Sequence, residues 1–327
     1  MIRILLFLQK HLRVTIPVFM IAGFITGLVV DNPSALKNLI LPFTFLMVYP
    51  MMVTLPLRKV IEGGDLKVQI TAQIINFGVI PFVAFGLGKI FFPDKPLFAL
   101  GFLLVSLLPT SGMTISWTGM SKGNMSAAVK MTVIGLLLGS VATPFYIKWL
   151  LGASVSMPMM KIFIQIGIIV LLPLVLGAIT QSLLIRKYGK QKYQTSIKKK
   201  FPPFSTLGVV LIVFVAMALK ARSIASDPAA FLSLIPPLLL LYAINIIIST
   251  VIGKKFFSRG DGLALVYGTV LRNLSIALAI AMTSFGRDGS SIALIIALGY
   301  IIQIQLSAWY LKLSPKIFGP AEEEPVH

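Results

Sequence analysis

The chain has 327 residues, of which 57% are hydrophobic and 12% charged. Soluble domains carry roughly 25% charged residues, so this chain has too few charges to coat a water-facing surface and reads as an all-α polytopic membrane protein. It has no cysteine, which excludes disulfides, thiolate-bound zinc and iron–sulfur clusters; its two histidines, His11 and His327, stand outside the apolar runs, which removes a histidine metal centre or proton relay. The formal charge of +19 arises from 29 Lys and Arg against 10 Asp and Glu. In a soluble protein such an excess points to nucleic acid; in a membrane chain short cytoplasmic loops account for it, and no nucleic-acid partner follows. The N-terminal MIRILLFLQKHLR runs straight into a long apolar stretch, with no small-residue cleavage site.

A membrane-spanning helix needs about 20 mostly apolar residues. In chain order the predicted spans are 14–30, 39–57, 69–92, 97–118, 125–147, 160–184, 203–219, 230–253, 262–285 and 289–311. The period-2 alternation of a β-barrel is absent. Of the Lys and Arg residues, nineteen fall on the side of the N-terminus and eight on the other, with Lys130 and Arg272 inside spans. Arg58 and Lys59, the basic loop at 185–203 and Lys254, Lys255 and Arg259 lead the richer side. The expectation is an integral protein of the plasma (inner) membrane with both termini cytoplasmic. The acids, Asp31, Glu62, Asp65, Asp94, Asp227, Asp261, Asp288 and Glu322 to Glu324, all lie outside the predicted spans.

The 185–203 connector divides the spans into two sets of five, and the two sets rhyme. Gly88-Lys89-Ile90-Phe91-Phe92 closes the third span, and Gly253-Lys254-Lys255-Phe256-Phe257 closes the eighth, 165 positions later. Ala99-Leu100 and Ala264-Leu265 keep the same offset. IPVFMIAGFITGL pairs with LLPLVLGAITQSL, and LPFTFLMVYPMMVTL with PPFSTLGVVLIVFVAMAL. An odd number of spans per half turns equivalent helices over, which makes a 5+5 inverted repeat, a plan of secondary transporters. The chain then divides into 1–184 (spans one to six), the basic cytoplasmic connector 185–203, 204–313 (spans seven to ten) and a cytoplasmic tail, 314–327.

In such repeats substrate binds near the midplane, where corresponding helices are broken. The fourth span, LLVSLLPTSGMTISWTGMSKGN, is broken at Pro109, which lacks a backbone donor, and weakened at Gly112. Thr110, Ser111, Thr114 and Ser116 supply hydroxyls beside the break. An opened turn frees N–H and C=O groups for an ion or anion; the alternative is a kink whose hydroxyls bond back to the backbone. The 165 offset sets Leu274 opposite Pro109, beside Arg272, Asn273 and Ser275, with only Gly268 weakening the ninth span. Arg272 lies about ten residues from either end of its span, too deep to snorkel easily. It is read as functional, a backbone-bound pin being the alternative. Lys130, roughly 8 Å deep at 1.5 Å per residue, either faces the site or snorkels. With no acid at hand, the substrate would supply the negative charge. Gln69, Gln73, Asn76, Gln165, Gln181, Asn245, Gln303 and Gln305 suit interhelical hydrogen bonds, and at most one of Gln303 and Gln305 faces the site.

Over about residues 10–315 this pattern resembles the bile acid/sodium symporter superfamily, including its arsenite-permease branch. Pro109-Thr110-Ser111-Gly112-Met113-Thr114-Ile115-Ser116-Trp117, followed by Lys122-Gly123-Asn124, is similar to that branch's Pro-Cys-Thr-x-Met stretch with its Trp and Lys-Gly. Arg272-Asn273 with Ala277-Leu278-Ala279-Ile280-Ala281 is similar to the family's Asn-rich segment. The resemblance implies a panel domain (spans one, two, six and seven), a core domain (the other six), broken helices crossing in the core, and alternating access. Several positions depart from it. Thr110 stands for the arsenite branch's Cys and Gln303 for its last-span Glu, and without thiolate the soft coordination of As(III) is lost. Thr114-Ile115 stands for the sodium-coupled branch's Ser-Asn, Gly268 for its sodium-ligating Glu and Arg272 for a Gln, while Asn76 and Thr132 keep polar ligands.

The expectation is a secondary transporter of a small organic anion with eroded sodium sites. Substrate contacts are expected from Pro109, Thr110, Ser111, Thr114, Arg272, Asn273, Ser275 and Gln303. Ion coupling, or its replacement by a fixed cation, is expected from Asn76, Lys130, Thr132 and Arg272. Arsenite/antimonite-type efflux and sodium-coupled bile-acid-like symport are the alternatives. No metal, cofactor, catalytic residue or protein partner is implied, sodium staying open as a coupling ion; the partners are the anion and the lipid bilayer. An intramembrane enzyme would need a nucleophile–base pair or paired carboxylates within the spans, and the spans offer neither.

Overall fold

In a computed structural model the described residues are 2–30, 32–56, 64–152, 159–286 and 288–320, and they are helical almost throughout. Helix α1 (Ile2–Lys10) leads into α2 (Leu12–Val29), and a 3₁₀ turn precedes α3 (Ile40–Val53). Helix α4 (Leu66–Gln73) passes through a π-helical segment, Ile74–Val79, into α5 (Ile80–Phe91). Then come α6 (Pro96–Leu107), α7 (Gly112–Met120) and α8 (Met125–Leu151). Helix α9 (Met159–Ile166) continues through a second π segment into α10 (Leu172–Tyr188). The rest are α11 (Lys190–Lys192), α12 (Pro202–Ser226), α13 (Pro228–Leu232), α14 (Ile235–Phe256), α15 (Arg259–Val270), α16 (Leu274–Ser284) and α17 (Gly289–Phe318).

Among the described residues seven stretches are long and apolar enough to cross a bilayer, and α1 with α2 makes an eighth if counted as one bent span. The predicted spans at 97–118 and 262–285 miss that criterion because each is cut into two half-helices, α6/α7 and α15/α16. Three expectations change. The connector, read as a loop, is helical: α10 runs to Tyr188, stops at Gly189 (φ +82°), and short helical turns carry the chain to α12. The N-terminal run breaks near His11, and α1 packs back on α12. Helix α17 extends to Phe318, well past the predicted end at 311. Asp31, Arg58, Lys59, Glu62 and the acidic tail from 321 lie outside the described residues.

Local chemistry places the helix starts. Proline occupies the first turn of α6, α12 and α14, where no N–H is needed. Ser111, Asn124, Ser258 and Asn273 cap α7, α8, α15 and α16 with side-chain oxygens. The helices pack in two sets. Helix α12 lies along α2 and α3, and α10 along α3; α5, α6, α8, α14, α15, α16 and α17 pack among themselves. Within the first set the backbones approach closely: a Cβ on Gly27 of α2 would collide with the carbonyl oxygen of Ala218 in α12. A Cβ on Gly86 would meet nothing within 4 Å. Small residues at helix contacts are how apolar helices associate where burial from water gives no drive. Gly27→Ala is therefore expected to lower the melting temperature of the purified protein through an overpacking penalty of about 1–3 kcal/mol. Gly86→Ala should leave it unchanged or raise it, and equal melting of the two variants would refute the close-packing account.

Candidate functional site

The two helix breaks cross each other. Thr110 N–H donates to Leu271 O (2.8 Å) and Asn273 N–H to Leu108 O (2.7 Å), an antiparallel bridge centred on Pro109 and Arg272. The geometric counterpart of Pro109 is thus Arg272, and not Leu274 as the 165 offset predicts. The reason is loop length. Four residues, Phe92 to Lys95, join α5 to α6, but only Phe257 and Ser258 join α14 to α15, so the register shortens by two.

The first break is local in origin. Pro109 cannot continue α6, and it pushes Leu108 out of the helical region (φ −110°, ψ 81°). Thr110 follows with φ +62°, a left-handed conformation that costs a β-branched residue of order 1–3 kcal/mol. Its hydroxyl is turned into the protein, toward the carbonyls of Pro109 (2.6 Å), Met131 (3.2 Å) and Thr132 (3.4 Å). Helix α8 comes this near because Gly135 has no side chain; a Cβ there would lie 2.6 Å from Thr110 Oγ1. Helix α7 then restarts through a capping box. Ser111 Oγ accepts the Met113 N–H (3.2 Å) and Thr114 Oγ1 accepts the Ser111 N–H (3.1 Å).

The second break is held from a distance. In a continuous helix the N–H groups of Arg272 and Asn273 would reach the carbonyls of Gly268 and Thr269. Here Arg272 N–H donates to Gln303 Oε1 (3.0 Å) and Asn273 N–H to Leu108 O. The freed carbonyls are taken by side-chain amides, Gly268 O by Asn76 Nδ2 (3.0 Å) and Thr269 O by Asn245 Nδ2 (2.8 Å). Gln303 Nε2 also donates to Arg272 O (3.3 Å), so one carboxamide clasps both backbone groups of Arg272, and Tyr242 donates to the same Gln303 Oε1 (3.2 Å).

Arg272 is 2% exposed. Its Nη1 donates to Asn76 Oδ1 (3.0 Å) and to the carbonyl of Ser106 (3.1 Å) in the last turn of α6. Its Nη2 has no hydrogen-bond partner among the described residues, and no carboxylate pairs with it there. Asn76 lies in the π-helical segment, where the widened turn re-aims the side chain toward the crossing. Asn76, Gly268, Arg272 and Gln303 therefore meet on one side of the bridge.

A cavity of about 330 Å³ lies on the other side. Of the sequence candidates, Ser111, Thr132, Asn273 and Ser275 line it; Pro109, Thr110, Thr114, Asn76, Lys130, Arg272 and Gln303 do not. Thr114 serves the capping box and Gln303 the backbone clasp. The rest of the lining comes from α1, α2, α3 and the residues after it, α7, α8, the turn at Lys198, α12 and α17, and includes Thr54, Ser116, Ser205, Thr206 and Tyr300. The N-terminal turns of α7 and α16 both border the cavity, through Ser111, Gly112 and Met113 and through Asn273 and Ser275. Helix N-termini carry positive partial charge and favour anions. Tyr300, whose hydroxyl shares a hydrogen bond with Ser275, was missed in the sequence, as were Tyr242 and Ser106. A tyrosine deep in an apolar helix is a readable signal, because its hydroxyl needs a partner. Ser106 acts through its backbone and leaves none.

Lys130 goes elsewhere. Its Nζ pairs with Asp65 (3.0 Å) and reaches Gly64 O (3.3 Å). Asn124 Nδ2 donates to both Asp65 (2.9 Å) and Asp261 (2.7 Å), and Arg259 binds the carbonyls of Ser121, Lys122 and Gly319. This network ties the starts of α4, α8 and α15 together.

Sequence comparison with known proteins finds a family and several relatives. The sequence model of the Sodium Bile acid symporter family matches residues 41–227. The Arsenical-resistance protein Acr3 of Corynebacterium glutamicum is 23% identical over 338 residues, covering 95% of this chain and 91% of its own. Acr3 of Alkaliphilus metalliredigens is 23% identical over 83% of this chain and 79% of its own. Sodium/bile acid cotransporter 7 of Xenopus tropicalis is 32% identical over 93 residues, 28% of this chain and 24% of its own.

The Asp65–Lys130 pair makes a pH-dependent contribution to stability. Burial alone would raise the Asp65 pKa, but the hydrogen bonds from Lys130 and Asn124 and the Lys130 charge outweigh it, and the pKa is lowered. Stability from a carboxyl with a depressed pKa is present above its ordinary value and is lost as pH falls through the folded one. Asp65→Asn should therefore melt below wild type at neutral pH, and the gap should close on acidification below about pH 4. A gap that persists unchanged in acid would show that the pairing charge is not its source.

Proposed function

The chain belongs to the Sodium Bile acid symporter family, and on that premise we propose that it carries a small organic anion across the membrane by alternating access, with the Arg272 guanidinium in place of a coupling cation. The observation that carries this is the Arg272 environment. Backbone carbonyls and half-helix C-terminal ends are what coordinate sodium in broken-helix transporters. Here one such oxygen, Ser106 O in the last turn of α6, and a side-chain oxygen, Asn76 Oδ1, are engaged by Nη1. A sodium ion does not fit there, because its ligands are already occupied by a fixed positive charge.

In this reading ten spans form the 5+5 inverted repeat, with α6/α7 and α15/α16 as its broken members. Helices α1–α3, α9, α10 and α12 make the panel, and α4–α8 with α14–α17 make the core. Hydrogen bonds knit helices within each body. Tyr49 to Thr180, Gln181 to Val53 and Ser205 to Met47 join panel helices; Arg272 to Asn76, Gln69 to Ala127 and Tyr146 to Phe77 join core helices. The cavity takes lining from both bodies, and Gln9, Pro56 and Lys198 place its mouth on the connector side. With the connector cytoplasmic, this is an inward-facing state. A cavity of about 330 Å³ lies near the lower bound of ~300–1,000 Å³ for small-molecule sites, which suits a small anion better than a sterol-sized one.

Metalloid efflux is the second reading, favoured by the Acr3 proteins that span nearly the whole chain. The absent thiol weighs against it. Expression in an arsenite-sensitive host separates the two: the anion reading expects no resistance, and restored resistance would install the metalloid reading.

The direct test is thermal stability of purified protein with small carboxylates, in sodium and in choline salts. A ligand at 100 times its Kd raises stability by about 2.7 kcal/mol. Wild type should be stabilised by an anion equally in both salts. Arg272→Ala, checked as folded by gel filtration, should lose that stabilisation in choline and gain one from sodium, since Ser106 O and Asn76 Oδ1 are released to hold the ion at the crossing. Sodium-dependent stabilisation of wild type would overturn the fixed-cation reading.

A further inference from the structure

The cavity holds a charged group that the anion-carrier reading, on which this inference rests, leaves without a role. Among its described lining residues Lys198 is the one with a charged side chain, and no carboxylate lines it. Lys198, Lys199 and Lys200 form one turn of 3₁₀ helix ahead of α12. Successive side chains on such a turn point about 120° apart, so the three lysines cannot share one face. Lys199 and Lys200 are exposed, whereas Lys198 is half-buried on the cavity wall. Its Nζ makes no ion pair or hydrogen bond among the described residues.

Position along the wall gives this lysine a function. Val209, which also lines the cavity, lies deeper along α12, about 10 Å beyond its first residue, Pro202, at 1.5 Å per residue. The N-termini of α7 and α16 stand at the crossing. Arg272 is shielded behind the crossing and does not reach the cavity. An anion arriving from the connector side therefore meets Lys198 first, then a wall of hydroxyls, then two helix N-termini.

We propose that Lys198 captures the anionic substrate at the connector-side mouth of the cavity. An ammonium with no carboxylate against it among the described residues, held between low-dielectric walls, focuses the field into the cleft and raises the local anion concentration. Its flexible four-carbon stem lets the charge follow the anion inward, which a rigid ion pair would not allow. Lys198 then governs affinity from one side of the membrane and leaves the carrier's turnover to the crossing.

The test uses full-length protein in phosphatidylcholine vesicles sorted by orientation, with labelled pyruvate, succinate, benzoate and taurocholate as the probes. Wild type is compared with Lys198→Gln, Lys198→Arg and Lys199→Gln. Lys198→Gln should raise KM about fivefold or more when the anion is offered on the connector side, with maximal rate unchanged and a flatter dependence on ionic strength. Lys198→Arg should stay near wild type, and Lys199→Gln should match it. Three outcomes overturn the assignment: Lys198→Gln behaving as Lys199→Gln, an equal KM effect from both sides, or an effect that appears only when anionic phosphatidylglycerol is added, which would make Lys198 a lipid-headgroup ligand. If wild type carries none of the anions, the carrier reading itself falls and this inference with it.

Discussion

A helix interrupted inside an apolar bundle leaves backbone N–H and C=O groups that must find partners, because lipid offers none and each orphan costs several kcal/mol. The crossing of the two breaks is how this chain meets that demand. Thr110 and Asn273 N–H groups use the opposite chain's carbonyls. Arg272 N–H uses Gln303, and the carbonyls of Ser106, Gly268 and Thr269 use Arg272, Asn76 and Asn245. Neither break is tenable without the other, so the order of the helices, the π-helical segment at Asn76 and the close approach of α8 at Gly135 all follow from one accounting requirement.

The crossing also sorts charge. Two half-helices end at it and two begin, so negative helix ends and positive helix ends lie a few residues apart. The C-terminal turn of α6 receives a guanidinium, while the N-terminal turns of α7 and α16 border the cavity. A buried arginine with no carboxylate would ordinarily be untenable. Here carbonyl and carboxamide dipoles stand in for the acid, and this explains how a chain whose acids all lie outside its predicted spans can hold a charge at its centre.

The sequence exposed the features whose causes are local. Apolar runs gave most of the helices, and Pro109 announced the first break because a proline removes its own donor. The internal rhyme located the second break within a few residues. It missed the register because the loop before α15 is two residues shorter than its counterpart, and the Ala99-Leu100 and Ala264-Leu265 pairs beyond it keep the 165 offset only as a coincidence of residue type. The reason for the second break was unreadable. Leu271 to Asn273 contain no breaker, and the partners that open this turn sit at Asn76, Asn245 and Gln303, far away in the chain. Of the candidate residues, those bordering the break split onto two sides of the bridge. Ser111, Asn273 and Ser275 face the cavity while Thr110, Thr114 and Gln303 serve the backbone, a division that depends on which way each peptide turns. Lys130 reads from the sequence as either a site cation or a snorkelling one, because Asp65 stands in a loop there; the turn before α4 folds that loop acid back onto the bundle and pairs it with Lys130.

Movement, if this chain alternates access, must spare the crossing. Its backbone groups are matched pair for pair, Thr110 is held in a left-handed conformation by its surroundings, and opening any one contact would strand a polar group in lipid. The hydrogen bonds among α3, α10 and α12 make the opposite wall equally coherent. Between these two groups of helices α12 meets α17 and α3 meets α16, and α12 and α17 present largely apolar side chains. Apolar side chains can slide without leaving an unsatisfied donor or acceptor behind. The seam that contains the cavity is therefore where the structure can change at least cost, and a substrate bound there would touch both bodies at the place where their relative position is decided.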